Sequence, residues 1–223
     1  LDLAAIPANL AAILFQKTEG ELQVVAVNTL GVLYLVEAGD ETVSRMEDLQ
    51  GKTIYATGKG STPEYTLRYL LEANGLNPDT DVTIEWKSEP AEAVAQLAAG
   101  GGLAMLPQPY VTVAQGQIEG LRVALDLTEQ WNALEQDSTL ITGVVVVNKA
   151  FSEKYPKATA RFLSEYEDSI AYVNENPQQA AILSEHFDII KASIAEQAIP
   201  ACNIVFLSGD EFKTALSGYL KVL

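Results

Sequence analysis

Three polar segments of the sequence stand where a strand is expected to end and a helix to begin, and each could hold a small ligand. The most informative is Gly58–Pro63, because the free backbone N–H groups and the positive dipole end of a helix start bind polar or anionic groups. Ser61 and Thr62 add hydroxyls that donate and accept hydrogen bonds. We predict ligand contacts from Gly60, Ser61 and Thr62. The alternative is that Thr62 only caps the helix while the glycines permit the turn.

Two other junctions carry side chains that could contact a ligand. Asn9 follows Pro7, and its amide offers a donor and an acceptor near a helix start, although the same position would suit an N-cap. Gln108 could hydrogen-bond a ligand and Tyr110 could stack on it, but a rigid turn with a core tyrosine is the alternative. Asn9, Gln108 and Tyr110 complete the predicted ligand-binding set, with both interpretations open.

Residue types argue against catalysis, metal binding and nucleotide binding. The Gly58-Lys59 pair would need a glycine five residues earlier and Ser or Thr directly after the lysine to form a phosphate-binding loop, and Thr53 and Gly60 stand there instead. The chain has one cysteine, Cys202, and one histidine, His186, so an internal disulfide is excluded and a thiolate or imidazole zinc site lacks ligands. We therefore expect no catalytic residue, no metal and no cofactor.

Composition limits the partners of the chain. Its 223 residues could form one large domain or two smaller lobes, since domains contain roughly 100–200 residues. Thirty acidic residues against fourteen basic ones give a net charge of −16, so the basic surface that nucleic acid requires is missing and anionic membranes would repel the chain. The longest apolar runs, such as Ile141–Val147, are far shorter than the roughly 20 residues of a membrane helix.

Between Thr53 and Leu125, apolar runs alternate with helical patterns, which predicts right-handed βαβ units and a parallel sheet. Ser44, three residues before Glu47, predicts a capping box in a short helical turn. The predicted strands are Leu1–Ile6, Leu22–Asn28, Val32–Glu37, Thr53–Thr57, Val82–Trp86, Leu103–Leu106, Leu121–Leu125 and Ile141–Val147. The predicted helices are Leu10–Gln16, Pro63–Asn74, Pro90–Ala99 and Tyr110–Gln115.

From Phe151 onward the sequence is mostly helical, and these helices have little local sheet to pack against. We expect them to return to the sheet begun by the first thirty-odd residues. The prediction is a first lobe formed by residues 1–36 and 148–223 and a second lobe formed by residues 37–147. Two crossing strands, near 32–37 and 141–148, would form a hinge, and the ligand would bind in the cleft between the lobes, beyond the carboxyl ends of the strands.

Several motifs resemble one family of transport proteins. Leu3–Ala11 is similar to the segment in which NMT1/THI5-like and sulfonate/nitrate/taurine-type ABC substrate-binding proteins carry a hydrophobic strand followed by Pro-x-Asn. Met46–Ile54 is similar to the Glu-Asp-Leu-Lys-Gly-Lys signature of that family, with Gln50 at the first lysine. Gly58–Pro63, Leu103–Tyr110 and Thr142–Val146 then follow in the order that the family shows, so the similarity extends over nearly the whole chain.

The resemblance implies an α/β fold of the periplasmic-binding-protein type II class, with two lobes and a two-strand hinge. It implies a monomeric, non-enzymatic receptor that binds a small molecule and delivers it to an ABC permease in the membrane. It also implies a place outside the cytoplasm, either in the periplasm or on the cell surface as a lipoprotein. Members of the family begin with a further strand and helix, so we expect an N-terminal strand-helix unit to be missing.

The resemblance carries Asn9 to the cleft from the first lobe, and Ser61, Thr62, Gln108 and Tyr110 from the second. Because Lys59 is the only basic residue in the three junctions, we expect a neutral or weakly charged organic ligand, while a sulfonate, a nitrate-like anion, a pyrimidine or another heterocycle stay open. An enzyme related to the thiamine-pyrimidine synthases and a sensor domain like that of LysR-type regulators are the alternative functions.

Overall fold

Two separate β-sheets organise the chain in this computed structural model, which describes residues 2–40, 42–134 and 138–222. Unit 1 contains residues 2–31 and 138–222, and unit 2 contains residues 32–40 and 42–134. The chain therefore begins in one unit, forms the other, and returns to the first.

Strands and helices follow one another closely along both units. The strands are β1 (Leu3–Pro7), β2 (Leu22–Leu30), β3 (Leu33–Ala38), β4 (Thr53–Ala56), β5 (Thr83–Trp86), β6 (Gly102–Pro107), β7 (Arg122–Asp126), β8 (Ile141–Asn148) and β9 (Ile204–Leu207). The α-helices are α1 (Ala8–Lys17), α2 (Thr62–Ala73), α3 (Pro90–Gly100), α4 (Tyr110–Gln117), α5 (Leu127–Leu134), α6 (Lys149–Lys154), α7 (Pro156–Glu175), α8 (Pro177–His186), α9 (Ala192–Ala198) and α10 (Gly209–Val222).

Unit 1 is built on a four-stranded antiparallel sheet with the order β1-β8-β2-β9. Its central strands are rich in β-branched residues, whose side chains pack well on a pleated surface. Val144 pairs with Ile6 on one side and with Val27 on the other, and Val27 and Val144 are fully buried. Helix α10 packs against β2, and α7 contacts β9.

Unit 2 is built on a five-stranded mixed sheet with the order β5-β4-β6-β3-β7. β4 runs parallel to β5 and β6, whereas β3 is antiparallel to β6 and β7. The core of unit 2 includes fully buried residues of both strands and helices. They are Ile54 of β4, Leu67, Leu70 and Leu71 of α2, and Leu97 of α3, each at most 1% exposed. The buried residues of α2 and α3 follow the spacing of an apolar helix face, and α3 packs against β4 and β6.

The predicted parallel sheet is only partly correct. The β4–α2–β5–α3–β6 segment forms the expected βαβ units, but β3, which lies between β6 and β7, runs antiparallel to both of them. Unit 1 has no parallel pair among its described strands, because its four strands come from distant parts of the chain and pair in antiparallel fashion. Strand periodicity identifies a strand but does not identify its partner.

Other predicted features differ in detail. β9 and α5 were not predicted, since Ile204–Leu207 is a short apolar run among helices and Leu127–Leu134 lies in a polar stretch. Ser44 bonds through its hydroxyl to Asp48 at 3.0 Å, not to Glu47, so the predicted capping partner is wrong by one residue. The predicted lobe limits, after residues 36 and 147, also differ from the units: β3 lies wholly in unit 2 and β8 wholly in unit 1.

A buried ion pair fixes one end of the unit 2 sheet. Glu37 of β3 is 4% exposed, and Arg122 of β7 donates to its carboxylate and to the carbonyl of Val43. Thr42 also donates to Glu37 from its backbone N–H at 3.1 Å and from its hydroxyl. Burial raises the pKa of Glu37, but the hydrogen bonds from Thr42, Val43 and Arg122 outweigh it, so the pKa lies below its ordinary value.

We expect Arg122→Met to lower the free energy of unfolding by about 3 kcal/mol, because it leaves the carboxylate of Glu37 buried without its cation. Since the pKa of Glu37 is lowered in the fold, its contribution is complete above the ordinary value of 4.5 and is lost as the pH falls below it. The difference between the variant and the wild type should therefore shrink in acid. Urea unfolding at pH 7 and pH 3.5 measures both effects.

The matched control is Arg161→Met, which removes an ion pair to Glu165 whose side chains are 80% and 63% exposed. Exposed pairs contribute little to stability, so no measurable change is expected. Equal losses for the two variants would show that the Glu37–Arg122 pair does not hold this end of the sheet.

Candidate functional site

One edge of the unit 2 sheet brings two of the three predicted segments together. β4 and β6 are parallel neighbours, with Ile54 paired to Leu103, so their carboxyl ends lie at the same edge. Residues 57–61 follow β4 and residues 108–109 follow β6. β5 ends at this edge as well, because Ala56 pairs with Trp86 and places that half-buried tryptophan beside the end of β4. Open α/β sheets bind ligands beyond such carboxyl ends.

The loop before α2 is shaped by two glycines. Gly58 and Gly60 have φ angles of 83° and 79°, which side chains rarely tolerate. Ser61 is the N-cap residue of α2, but its hydroxyl donates to the carbonyl of Gly58 at 2.8 Å and caps no helical N–H. Thr62 is the first residue of the helix, 1% exposed, and is engaged within the fold, so it does not act as the predicted alternative cap.

The positive end of α2 is occupied by a carboxylate of the chain itself. The backbone N–H of Gly60 donates to Oε2 of Glu64 at 2.6 Å, and Glu64 lies in the first turn of the helix. An acidic side chain in that position is stabilised by the helix dipole and by the N–H groups of the first turn. The same charge would repel an anionic ligand at this loop. The exposed Lys59 is the nearest basic residue along the chain.

Gln108 and Tyr110 lie at the start of α4. The side-chain oxygen of Gln108 accepts hydrogen bonds from the hydroxyl of Thr112 at 3.0 Å and from its N–H at 3.4 Å. The NH2 end of its amide is then the group that it can offer to a ligand. The N–H of Gln108 donates to the carbonyl oxygen of Val32 at 3.0 Å. Because Val32 directly precedes β3, this bond holds the turn beside the start of that strand. Tyr110 is the first residue of α4 and is half-buried.

Asn9 belongs to unit 1, whereas the other predicted ligand contacts belong to unit 2. It is the second residue of α1 and 9% exposed, and the N-cap position belongs to Pro7, so the N-cap alternative is wrong. The pairing of Pro7 with Gly143 places the start of α1 next to the start of β8. The expected cleft concerns the placement of one unit against the other and stays a prediction.

Comparison with known proteins identifies the family. The family model described as NMT1/THI5 like matches residues 14–180. The chain belongs to the NMT1/THI5-like family. The predicted family is thereby confirmed. None of the curated proteins compared matches the chain in sequence.

Solved structures agree with the family and show the fold. An ABC transporter protein from Parabacteroides distasonis has a TM-score of 0.80 and 25% identity, with 99% of this chain and 73% of that chain covered. The periplasmic aliphatic sulphonate binding protein SsuA from Escherichia coli has a TM-score of 0.78 and 19% identity, covering 100% and 73%. The predicted two-sheet α/β fold of the periplasmic-binding-protein type II class is confirmed by these neighbours of the family.

The same fold also supports an enzyme. The desulfurization enzyme DSZB has a TM-score of 0.66 and 13% identity to this chain, covering 100% of it and 78% of that protein. At that identity the likeness concerns the fold alone. Function in this family must therefore be argued from the side chains of the site.

Two residues that the sequence analysis missed form a polar pair in unit 1. Asn28 is 8% exposed, and its side-chain NH2 donates to the hydroxyl of Tyr166 at 2.9 Å. Thr29 donates from its hydroxyl to the amide oxygen of Asn28 at 3.3 Å. The available signal was an Asn-Thr pair that follows an apolar strand run, Val24–Val27, and stands just before Gly31.

A cavity of about 590 Å³ lies at the other edge of the unit 2 sheet. None of the predicted site residues lines it; its wall includes Glu37, Asp40, Lys52 and the backbone of Gly100–Gly102. Within residues 2–40, 42–134 and 138–222, no group of three acidic, histidine or cysteine side chains could hold a metal ion. In the same ranges, no helix is both long and apolar enough to span a bilayer.

We expect Gly58→Ala to destabilise unit 2 more than Gly75→Ala. Both positions have a positive φ, 83° and 78°, so each alanine should cost about 1 kcal/mol of backbone strain. At Gly58 the added Cβ would also lie 2.7 Å from Cγ of Pro63, whereas nothing lies within 4 Å at Gly75. Urea unfolding of the two variants measures the difference, which should be at least about 1 kcal/mol. Equal losses would mean that the loop absorbs the contact without strain.

Proposed function

We propose that this chain is the solute-binding receptor of an ABC importer, which binds a small organic molecule outside the cytoplasm and presents it to the permease. The observation that carries the proposal is the family match over residues 14–180, together with a fold shared at a TM-score of 0.80 with an ABC transporter protein. The receptor acts as a monomer. A lipid anchor would hold it at the cell surface in an organism without an outer membrane.

The proposed ligand contacts are the polar side chains and backbone groups at the ends of the strands. In unit 2 these are Ser61 before α2, and Gln108 and Tyr110 at the start of α4, which share one sheet edge. Gly60 would contact the ligand through its carbonyl, because its N–H donates to Glu64. Thr62, buried behind Ser61, supports the loop rather than reaching the ligand with its hydroxyl. Asn9 contributes from unit 1. Such a set provides a few oriented hydrogen bonds in an otherwise apolar and aromatic pocket.

The ligand is proposed to be neutral or weakly charged. SsuA from Escherichia coli is named as an aliphatic sulphonate binding protein. A sulfonate needs cationic or N–H donors, but Glu64 already accepts from the N–H of Gly60, and its charge lies at the same helix start. Hydroxyl and amide groups are suited to an uncharged molecule with its own donors and acceptors.

The enzyme alternative finds no support in the two residues that nucleophilic chemistry would use. Burial raises the pKa of the Cys202 thiol, which keeps it protonated and weakly nucleophilic. His186 ends α8 on the surface, where its ring contacts Phe187 at 5.2 Å. An assay of aminopyrimidine formation by the purified chain would separate the two functions, since a receptor forms no product.

We expect the purified chain to carry or to take up a small molecule. Native mass spectrometry should show an added mass of small-molecule size, and a thermal shift panel of alkanesulfonates, nitrate, aminopyrimidines and neutral heterocyclic amides should contain a stabilising compound. A ligand at 100 times its dissociation constant adds about 2.7 kcal/mol to the free energy of unfolding. The absence of any bound mass and of any stabilising compound would count against the proposed function.

Ser61→Ala should weaken the binding of the best compound in that panel by about tenfold, the loss of one oriented hydrogen bond. Ser152→Ala is a closely matched control, because its hydroxyl donates to the carbonyl of Lys149 at 2.9 Å, as Ser61 does to Gly58 at 2.8 Å. Both variants lose a hydroxyl bond to the third preceding residue, but only Ser61 lies at the proposed site. Isothermal titration calorimetry should show unchanged affinity for Ser152→Ala. Equal affinities for both variants would remove Ser61 from the site.

A further inference from the structure

Strand β2 lies in the interior of its sheet, yet its ladder with β8 has three register shifts, and the second of them falls at Asn28. In the ladder with β8, Val27 pairs with Val144 and Thr29 with Gly143, so that Asn28 is an extra residue without a partner. The ladder with β9 also shifts between Val27 and Thr29. A bulge in an interior strand gives up ladder hydrogen bonds and re-aims the side chain of the extra residue. Such bulges concentrate next to functional sites.

The space above Gly143 is filled by the side chains of Asn28 and Thr29. A Cβ built on Gly143 would lie 2.5 Å from Oδ1 of Asn28 and 3.1 Å from Oγ1 of Thr29. Gly143 does not have a positive φ, so the backbone there does not require glycine. Glycine is required at this position because any larger residue would collide with the side chains of Asn28 and Thr29. The bulge and Gly143 together place an amide and a hydroxyl side by side at the end of the sheet.

Tyr166 of α7 holds the amide of Asn28 in one orientation. The NH2 of Asn28 donates to the tyrosine hydroxyl at 2.9 Å, which directs the amide oxygen toward Thr29. The ring of Tyr166 is stacked on Phe162 with centroids 5.5 Å apart, and it meets the edge of Phe206 at 6.3 Å. Because the tyrosine oxygen accepts here, its own hydrogen is available to donate elsewhere, as is the second amide hydrogen of Asn28.

From this arrangement we propose that Asn28 and Thr29 contact the ligand directly and that Tyr166 is a positioning residue acting through Asn28. The pairing of Pro7 with Gly143 places this polar pair at the same edge of unit 1 as the start of α1, where Asn9 lies. All of these side chains are uncharged. The group that they recognise is therefore a neutral donor and acceptor, such as an amide, a hydroxyl or a ring nitrogen. This inference rests on the proposed function and extends it to the class of ligand.

The test compares two named probes by isothermal titration calorimetry: 4-amino-5-hydroxymethyl-2-methylpyrimidine, which is neutral at pH 7.5, the pH of the experiment, and ethanesulfonate, which is anionic. The wild type should bind the pyrimidine at least about tenfold more tightly than the sulfonate, because a well-placed set of hydrogen bonds raises the affinity by about that factor. Asn28→Asp, which replaces the NH2 donor by a charge, and Gly143→Ala, which displaces Asn28, should each weaken pyrimidine binding by about tenfold or more.

Tyr166→Phe keeps the ring stack and removes only the hydroxyl, so it should weaken pyrimidine binding several-fold. The control is Tyr172→Phe on the same helix, where the tyrosine is 42% exposed, and its affinity should equal that of the wild type. Thermal unfolding without probe shows whether each variant is folded. If Asn28→Asp or Gly143→Ala does not fold, Thr29→Val, which preserves the shape of the side chain, provides the same test with the same expected loss.

Three results would overturn the inference. In the first, folded variants of Asn28, Thr29 and Tyr166 bind the pyrimidine as the wild type does, while Ser61→Ala binds it weakly. That result would contradict this inference and leave the proposed function intact. Preferential binding of ethanesulfonate would contradict the neutral ligand class. A wild type that takes up neither probe nor any compound of the wider panel would overturn the proposed function and this inference with it.

Discussion

The parallel pairing of β4 with β6 is the constraint on which the unit 2 site depends. Parallel strands end at the same edge of a sheet, so the segments that follow them meet there however far apart they lie in the sequence. Here the connections through α2 and α3 place β5 at the edge of the sheet beside β4, and β6 on the inner side of β4. Glycines at 58 and 60 then allow the chain to turn directly from the strand into α2.

Charge is arranged differently at the two ends of the same sheet. At the carboxyl edge, the N–H of Gly60 at the start of α2 donates to the carboxylate of Glu64, which places a negative charge there. At the opposite end, a buried carboxylate is held by a guanidinium and by N–H groups of the following loop. The first arrangement limits what can bind, whereas the second fixes the backbone between β3 and β7. Salt should screen the exposed charge of Glu64 more than the buried pair of Glu37 and Arg122.

The sequence predicted the βαβ portion well, because its strands, helices and turn glycines are local signals within Thr53–Pro107. It did not predict the partners in unit 1, since β1, β2, β8 and β9 are joined by pairings across more than a hundred residues. Asn28 was missed for a related reason: the Asn-Thr pair after the apolar run is a weak signal, and the bulge itself is a mismatch between two strands that neither strand shows alone. The alternative that Thr62 caps α2 and the predicted Ser44–Glu47 box are each wrong by one residue, since Ser61 is the N-cap of α2 and Ser44 bonds to Asp48.

The position of Trp86 gives this receptor a built-in optical reporter. The chain has two tryptophans, and Trp131 is fully buried, with its ring 4.9 Å from that of Tyr69. Trp86 ends β5 beside Ala56 and is half-buried at the edge where the loops of unit 2 gather. Indole emission shifts in wavelength as water near the ring is displaced, and the shielded Trp131 supplies a constant background. A change in the surroundings of that edge can thus be followed by light, without a label.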